Sequence, residues 1–251
     1  MKKIIEIHEQ KNDLPETGCV KELFGVFLDD INMNLPRHNG TLWAICGKGG
    51  SGKSSLFLSL FKSKKFLRQK FDEIHYIVRA SSFNSVEKSP FSKHEHIHHD
   101  LTPGLLHAIH EQALDRKEDC LEEHNPIEHT CIIIDDFGAI LKDQQIQQAL
   151  KEIMNVARHA NLYIIFICQT YRQMPVELRR ILTHVTLFKP NREEWDLIVS
   201  EILMKKKDVA DQIYDYVFDK MYNHLTINMK DGDIRKNFKL LDIIEKINIS
   251  Y

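Results

Sequence analysis

The run GKGGSGKS at Gly47 to Ser54 restricts this chain more than any other stretch. It matches G-x-x-x-x-G-K-[ST] at every fixed position, follows the apolar run Leu42 to Cys46, and precedes a helix-compatible run from Ser54 to Lys62. A strand, a glycine-rich turn and a helix in that order form an anion cradle. The glycines let backbone amides wrap a phosphate, and the helix aims its free N-terminal N–H groups at the same charge. Gly47, Lys48, Gly49, Gly50, Ser51, Gly52, Lys53, Ser54 and Ser55 are therefore the expected nucleotide-binding residues. In such a loop the lysine, Lys53, reaches the β- and γ-phosphates, and the Ser54 hydroxyl ligates Mg²⁺. The competing reading, a glycine-rich turn with no ligand, accounts less well for the strand before it and the helix after it.

The rest of the chain agrees with an α/β fold. Further apolar or β-branched runs lie at Ile74 to Val78, Cys131 to Ile134, Leu162 to Cys168 and Val185 to Phe188. Alternating with helical patterns, they predict a mainly parallel sheet flanked by helices. Ile146, Leu150, Ile153, Met154 and Ala157 recur at helical spacing and predict a helix from about Asp143 to Arg158, with Asn161 breaking into the next strand. Val209, Ile213, Val217 and Met221 predict another, followed by a hairpin turning at Asp231-Gly232. The expected organisation is a single domain over 1–251, with a core at about 38–203 and a small C-terminal helix plus hairpin extension at 204–251. A flexible segment is expected between Ser81 and Asp100, where Ser, Asn, Lys, Pro and His crowd together.

Two further motifs sit where ligands collect, at the carboxyl ends of strands. CIIIDDFG places Asp135 and Asp136 after four apolar residues. Asp135 is the candidate Mg²⁺ partner, directly or through water, and Asp136 the candidate base that polarises attacking water. An acidic pair that merely caps the next helix is the alternative, but adjacent buried acids are costly without a cation or ordered water. LYIIFICQT ends in Gln169, an amide able to orient that water or sense the γ-phosphate. A strand-terminal glutamine is by itself more often simply solvated.

Composition excludes several classes. The longest apolar runs are far short of the roughly 20 residues of a membrane-crossing helix, and MKKIIEIHEQK has too short an apolar stretch for a signal peptide. Five cysteines form no C-x-x-C pair and read as small core residues in a reducing compartment. With 251 residues and a formal net charge of -2, the overall balance announces no nucleic-acid partner, so any DNA contact must be local.

Taken in order, GKGGSGKS, IIIDDFG, VARHANLYIIFICQTYRQMPVELRR and THVTLFKPNREEW resemble the FtsK/HerA superfamily of DNA-pumping ATPases, and within it the poxvirus-type genome-packaging branch. The resemblance covers roughly residues 38 to 203, and LTIN...RKNFKLLDI also looks like the viral branch. The Asp-Asp motif, where cellular FtsK proteins usually carry Asp-Glu, favours the viral branch. The resemblance implies a P-loop fold of the RecA/FtsK-HerA kind and ATP as the nucleotide. It also implies double-stranded DNA as cargo, a homo-oligomeric ring, capsid or vertex proteins as partners, and work in the host cytoplasm or viral factory or in association with the virion. It further implies an arginine donated in trans to the γ-phosphate. Arg158, before the glutamine-bearing strand, is the first candidate and Arg179 or Arg180 the next. A cation at a helix C-terminus is the alternative role for Arg158.

Other features read more plainly. His94, His96, His98 and His99 lie in a Pro/Ser-rich stretch with no Cys partner, so a solvated loop is expected in preference to a metal site. Lys62, Lys64, Lys65, Arg68 and Lys70, and Lys205 to Lys207, are basic runs of the kind usually found on a solvated face. Three functions stay open on residues alone: a DNA-translocating ATPase, a nucleotide-regulated non-motor module, and a small-molecule kinase. The second lacks an Asn-Lys-x-Asp guanine-reading motif, and the third lacks a recognisable lid.

Overall fold

The apolar runs pair side by side, and their order in space brings the motifs to one edge. The computed structural model describes residues 4–9, 40–62, 67, 70–84, 91 and 96–246. The strands are β1 (Ile4–Glu9), β2 (Leu42–Cys46), β3 (Glu73–Val78), β4 (Ile97–His98), β5 (Thr130–Asp135), β6 (Leu162–Cys168), β7 (His184–Phe188), β8 (His224–Asn228), β9 (Ile234–Lys236) and β10 (Lys239–Lys246). The helices are α1 (Lys53–Lys62), α2 (Ala80–Asn84), α3 (Pro103–Glu122), α4 (Gln144–Val156), α5 (Val176–Arg179), α6 (Arg192–Ile198) and α7 (Lys207–Val217).

All ten strands join one sheet in the order β1-β10-β9-β8-β7-β2-β6-β5-β3-β4. From β7 to β4 the pairing is parallel, and from β7 outward to β1 it is antiparallel. The parallel strands are buried on both faces, which is why their sequences are continuous apolar runs. Along β2, Leu42, Ala44 and Cys46 face one core, shared with α3, α4 and α7. Trp43 and Ile45 face the other, filled by Leu56, Phe57, Leu60 and Phe61 of α1. Helices thus cover both faces, and the α/β expectation holds.

Caps explain the helix limits. Asp143 accepts from the amides of Gln145 and Ile146 at 2.9 and 3.1 Å, so α4 starts one residue later than the apolar spacing predicts. The helix expected to reach Met221 stops at Val217, and Met221 is 74% exposed, a correction to its assigned core position. Sequence analysis places no helix at α3, because its buried residues Leu106, Ile109, Ala113 and Cys120 form a narrow stripe among charges. Its start is nevertheless marked: Thr102 caps Leu105 N at 3.2 Å and Pro103 occupies the first turn. Within the segment expected to be flexible, α2 and β4 are ordered elements, while His94 lies outside the described residues, as do Lys64, Lys65 and Arg68.

His224 opens β8 with 3% exposure, its ring 5.3 Å from Phe188 and 4.7 Å from Phe238. Burial holds its pKa down to about 4. The native state therefore takes up this proton less readily than the unfolded chain. The stability is intact above the unfolded value near 6.5 and is lost as pH falls below it toward 4, about 2 kcal/mol between pH 7 and 5. His224→Leu should remove that share of the acid sensitivity. Urea melts at the two pH values test this, and an unchanged loss in the variant would refute it.

Candidate nucleotide site

The glycine-rich loop leaves β2 at Gly47, whose amide donates to Cys168 O at 3.1 Å and so ties the loop to the neighbouring strand β6. Gly50 and Gly52 have φ of +76° and +97°, backbone that side-chain-bearing residues adopt only with strain. At Gly52 a Cβ would also stand 3.1 Å from the Tyr222 ring. Helix α1 then begins at Lys53, with no acidic residue in its first turn. Its buried face, Leu56, Phe57, Leu60 and Phe61, fixes the helix so that its free N–H groups have one direction. The strand, the glycine turn and the helix stand in the order that the motif predicts.

Strand β6 lies between β2 and β5, so the loop, Gln169 and the acidic pair emerge side by side at the carboxyl edge. Asp135 Oδ2 accepts from the Tyr76 hydroxyl at 2.8 Å. Burial raises the Asp135 pKa to about 6, against the opposing pull of the Tyr76 hydrogen bond and the nearby Lys53 charge. A carboxylate this reluctant to stay charged gains from a cation placed beside it.

Asp136 turns the chain with φ +62°, which gives the two acids different partners. Asp136 Oδ1 accepts from Gln169 Nε2 at 3.1 Å. The Gln169 backbone N–H donates to Gln173 Oε1 at 3.0 Å, and Gln173 covers Gly138, where a Cβ would meet that oxygen at 2.8 Å. Neither Gln173 nor Tyr76 stands out as a site residue in the sequence. Tyr76 reaches Asp135 only because β3 lies beside β5, whereas Gln173 is four residues from Gln169 and a local turn brings it there.

Two clefts flank the loop. One of about 370 Å³ is lined by Gly50, Gly52, Lys53, Ser54, Ser55 and Tyr222. The other, about 620 Å³, adds Phe188, Arg192 and Tyr214 to Lys48 and Gly49, and the two share Gly50 and Tyr222. A small cleft beside Lys53 thus adjoins a larger one lined by both charged and aromatic side chains. Asn191, from the motif THVTLFKPNREEW, caps α6 by accepting from Glu194 N at 2.8 Å. Glu194 itself accepts from Tyr171 N. Burial raises its pKa, while Arg172 and Lys48 hold it down.

The three arginine candidates separate. Arg179 is 5% exposed, donates to Glu201 Oε1 at 2.8 Å and lies 4.9 Å over the Tyr171 ring, so it is committed to the core. Arg158 and Arg180 are exposed. Arg158 follows α4 and precedes β6, at the end of the strand opposite Gln169. The seven residues of β6 put the two about 20 Å apart, so within one chain Arg158 is not part of the phosphate site.

The chain is similar to known proteins in sequence and in fold. A family described as "Poxvirus A32 protein" matches residues 34–231. The chain is 26% identical over 196 residues to "DNA packaging protein OPG160" of Monkeypox virus, covering 75% of this chain and 61% of that protein. The protein of that name in Vaccinia virus (strain Copenhagen) is 26% identical over 75% of this chain and 68% of its own length. The match thus spans about three fifths to two thirds of these relatives. Among solved structures, B204, "the DNA-packaging ATPase from Sulfolobus Turreted Icosahedral Virus", superposes with a TM-score of 0.56 at 17% identity, over 78% of this chain and 96% of that one. EssC (ATPases 2 and 3) from Geobacillus thermodenitrificans reaches 0.56 at 15% identity, over 82% of this chain and 40% of its own. Both show a shared fold.

Proposed function

Because the chain belongs to the poxvirus A32 protein family, we propose that it is an ATP-hydrolysing motor that moves double-stranded DNA into a preformed viral capsid. One observation carries the reading: phosphate loop, Gln169 and the acidic pair end three adjacent parallel strands, with Asp136 and Gln169 already hydrogen-bonded to each other. The backbone amides of Gly49 to Ser54 and the Lys53 ammonium hold the β- and γ-phosphates. Ser54 and Asp135 would hold Mg²⁺, which would offset charge on the phosphate oxygens. Asp136 draws a proton from the attacking water, while Gln169, fixed by Gln173, orients that water against the γ-phosphate. The base and ribose occupy the cleft between Phe188 and Tyr222.

The active form is a homo-oligomeric ring, recruited to capsid or vertex proteins in the host cytoplasm or viral factory. Arg158, exposed and remote from its own phosphate loop, completes the site of a neighbouring subunit. Arg158→Ala is expected to keep ATP binding within about threefold and to lower turnover on the order of a thousandfold, the scale of an arginine supplied in trans. Mixing Arg158→Ala with Lys53→Ala subunits should restore part of the hydrolysis, because a mixed interface combines an intact loop with an intact arginine. Normal turnover by Arg158→Ala alone would sink the assignment.

Hydrolysis by the purified chain, with and without double-stranded DNA, tests the function. Strong stimulation by DNA supports the motor, and hydrolysis indifferent to DNA moves the reading to a nucleotide-regulated module.

A further inference from the structure

Away from the nucleotide edge, two histidines and a carboxylate converge at the outer end of the sheet. Glu73 and His75 sit two residues apart on β3 and therefore on one face, the face directed toward α3. His96 reaches them from the residue before β4, held there because its carbonyl accepts from Tyr76 N at 2.9 Å. The expectation of a solvated histidine loop is thus wrong for His96 and His98, since pairing of β4 with β3 brings both rings onto the sheet. The signal was in the sequence, but its other half, EIH at Glu73 to His75, lies far from the histidine run.

We propose that Glu73, His75 and His96 form a binding site for a divalent transition-metal ion, zinc in the first place, that pins the edge strand β4 to β3. Three observations carry it. First, the three ligand atoms lie within 4.8 Å of one another, and among the described residues this is the one group of three such side chains that does so. Glu73 Oε1 is 2.9 Å from His75 Nε2 and 3.4 Å from His96 Nε2, close to the roughly 3.3 Å that separates two donors of a tetrahedral ion with bonds near 2.0 Å. Second, His75 is 2% exposed and its Nε2 makes no aligned hydrogen bond although Glu73 Oε1 stands 2.9 Å away, so with the ring proton on Nδ1 two acceptors face each other in a buried place, a contact that a cation between them relieves. Third, the opposite ring nitrogen, His75 Nδ1, is 3.2 Å from His98 Nε2. A metal-bound imidazole ordinarily gives its other N–H to such an acceptor, which fixes the tautomer that leaves Nε2 free to ligate.

The surroundings fit a cation that prefers nitrogen. Arg116 of α3 contacts the other Glu73 oxygen, Oε2, and donates to Thr130 Oγ1 at 2.9 Å, leaving Oε1 turned to the two imidazoles. The His96 side chain is 42% exposed, which leaves room for a water as fourth ligand. Two imidazoles and one carboxylate select zinc over magnesium. The site is separate from the nucleotide edge: Asp135 pairs with Val78, five residues up the strand from Glu73, or about 17 Å.

The test uses the full chain without nucleotide or Mg²⁺, titrated with Zn²⁺ by calorimetry and with Co²⁺ by visible absorption. Wild type should bind one equivalent of each ion, give the intense visible bands of tetrahedral Co²⁺, and gain thermal stability with Zn²⁺. His96→Ala, a change at a half-exposed residue, and Glu73→Gln, which keeps the side-chain shape, should each weaken Zn²⁺ binding at least tenfold and abolish the thermal shift. His107→Ala, at a half-exposed histidine elsewhere on α3, should bind as wild type does. No stoichiometric uptake by wild type, or undiminished binding by both His96→Ala and Glu73→Gln, would overturn the proposal.

Discussion

Lys53→Ala is expected to lower ATP hydrolysis on the order of a thousandfold and to weaken nucleotide binding along with it. Lys53 opens α1 at the point where the loop's amides converge, and its charge already acts on Asp135. Removing it takes away the side-chain cation at the start of the helix, and with it charge stabilisation that grows as the γ-phosphate departs. A single such donor is worth about a hundred- to a thousandfold in rate, and loss of ground-state binding adds to that. The fold should survive, because Lys53 is not among the residues that α1 buries. Steady-state hydrolysis beside a fluorescent-nucleotide binding curve checks both halves. Unchanged turnover would remove the loop from the chemistry.

Asp136→Asn is the sharper of the two large effects, because almost nothing else changes. Asp136 has φ +62°, and Asn is among the few residues that tolerate that backbone. Its amide oxygen still accepts from Gln169 Nε2, as Asp136 Oδ1 does at 3.1 Å. What the amide lacks is the capacity to take a proton. Turnover should fall about a hundred- to ten-thousandfold while ATP affinity stays within about twofold, a loss in kcat with little change in binding. A variant that hydrolyses ATP at the wild-type rate would hand the role of base to another group. Asp135→Asn should behave differently, since Asp135 is held by Tyr76 and faces Lys53, and its removal should weaken binding of the magnesium nucleotide.

These contrasts mark how far sequence alone reaches. The phosphate loop, the flanking strand and α1 are legible because each is a local pattern of neighbouring residues. The buried parallel strands are legible for the same reason, and Leu162–Cys168 is bounded as its apolar run predicts. The antiparallel side is less so. Strand β1 pairs with β10 across nearly the whole chain, Ile5 opposite Glu245, and such short alternating stretches carry no sign of their partner. Two-residue β4 is too short for any periodicity. The site divides in the same way. Asp136 and Gln169 are each visible at a strand end, but their hydrogen bond exists only because β6 lies beside β5. Tyr222 meets Gly52 from a bend after α7, with φ +69°, and nothing around residue 222 announces a contact made 170 residues earlier in the chain.

The central claim is that hydrolysis at this three-strand edge moves DNA. The most direct measurement is displacement of a third-strand oligonucleotide from a duplex, followed with purified protein, ATP and Mg²⁺. The account predicts release that requires ATP, is lost in Lys53→Ala and Asp136→Asn, and does not occur with a non-hydrolysable analogue. DNA-stimulated hydrolysis with no displacement of the third strand would contradict it.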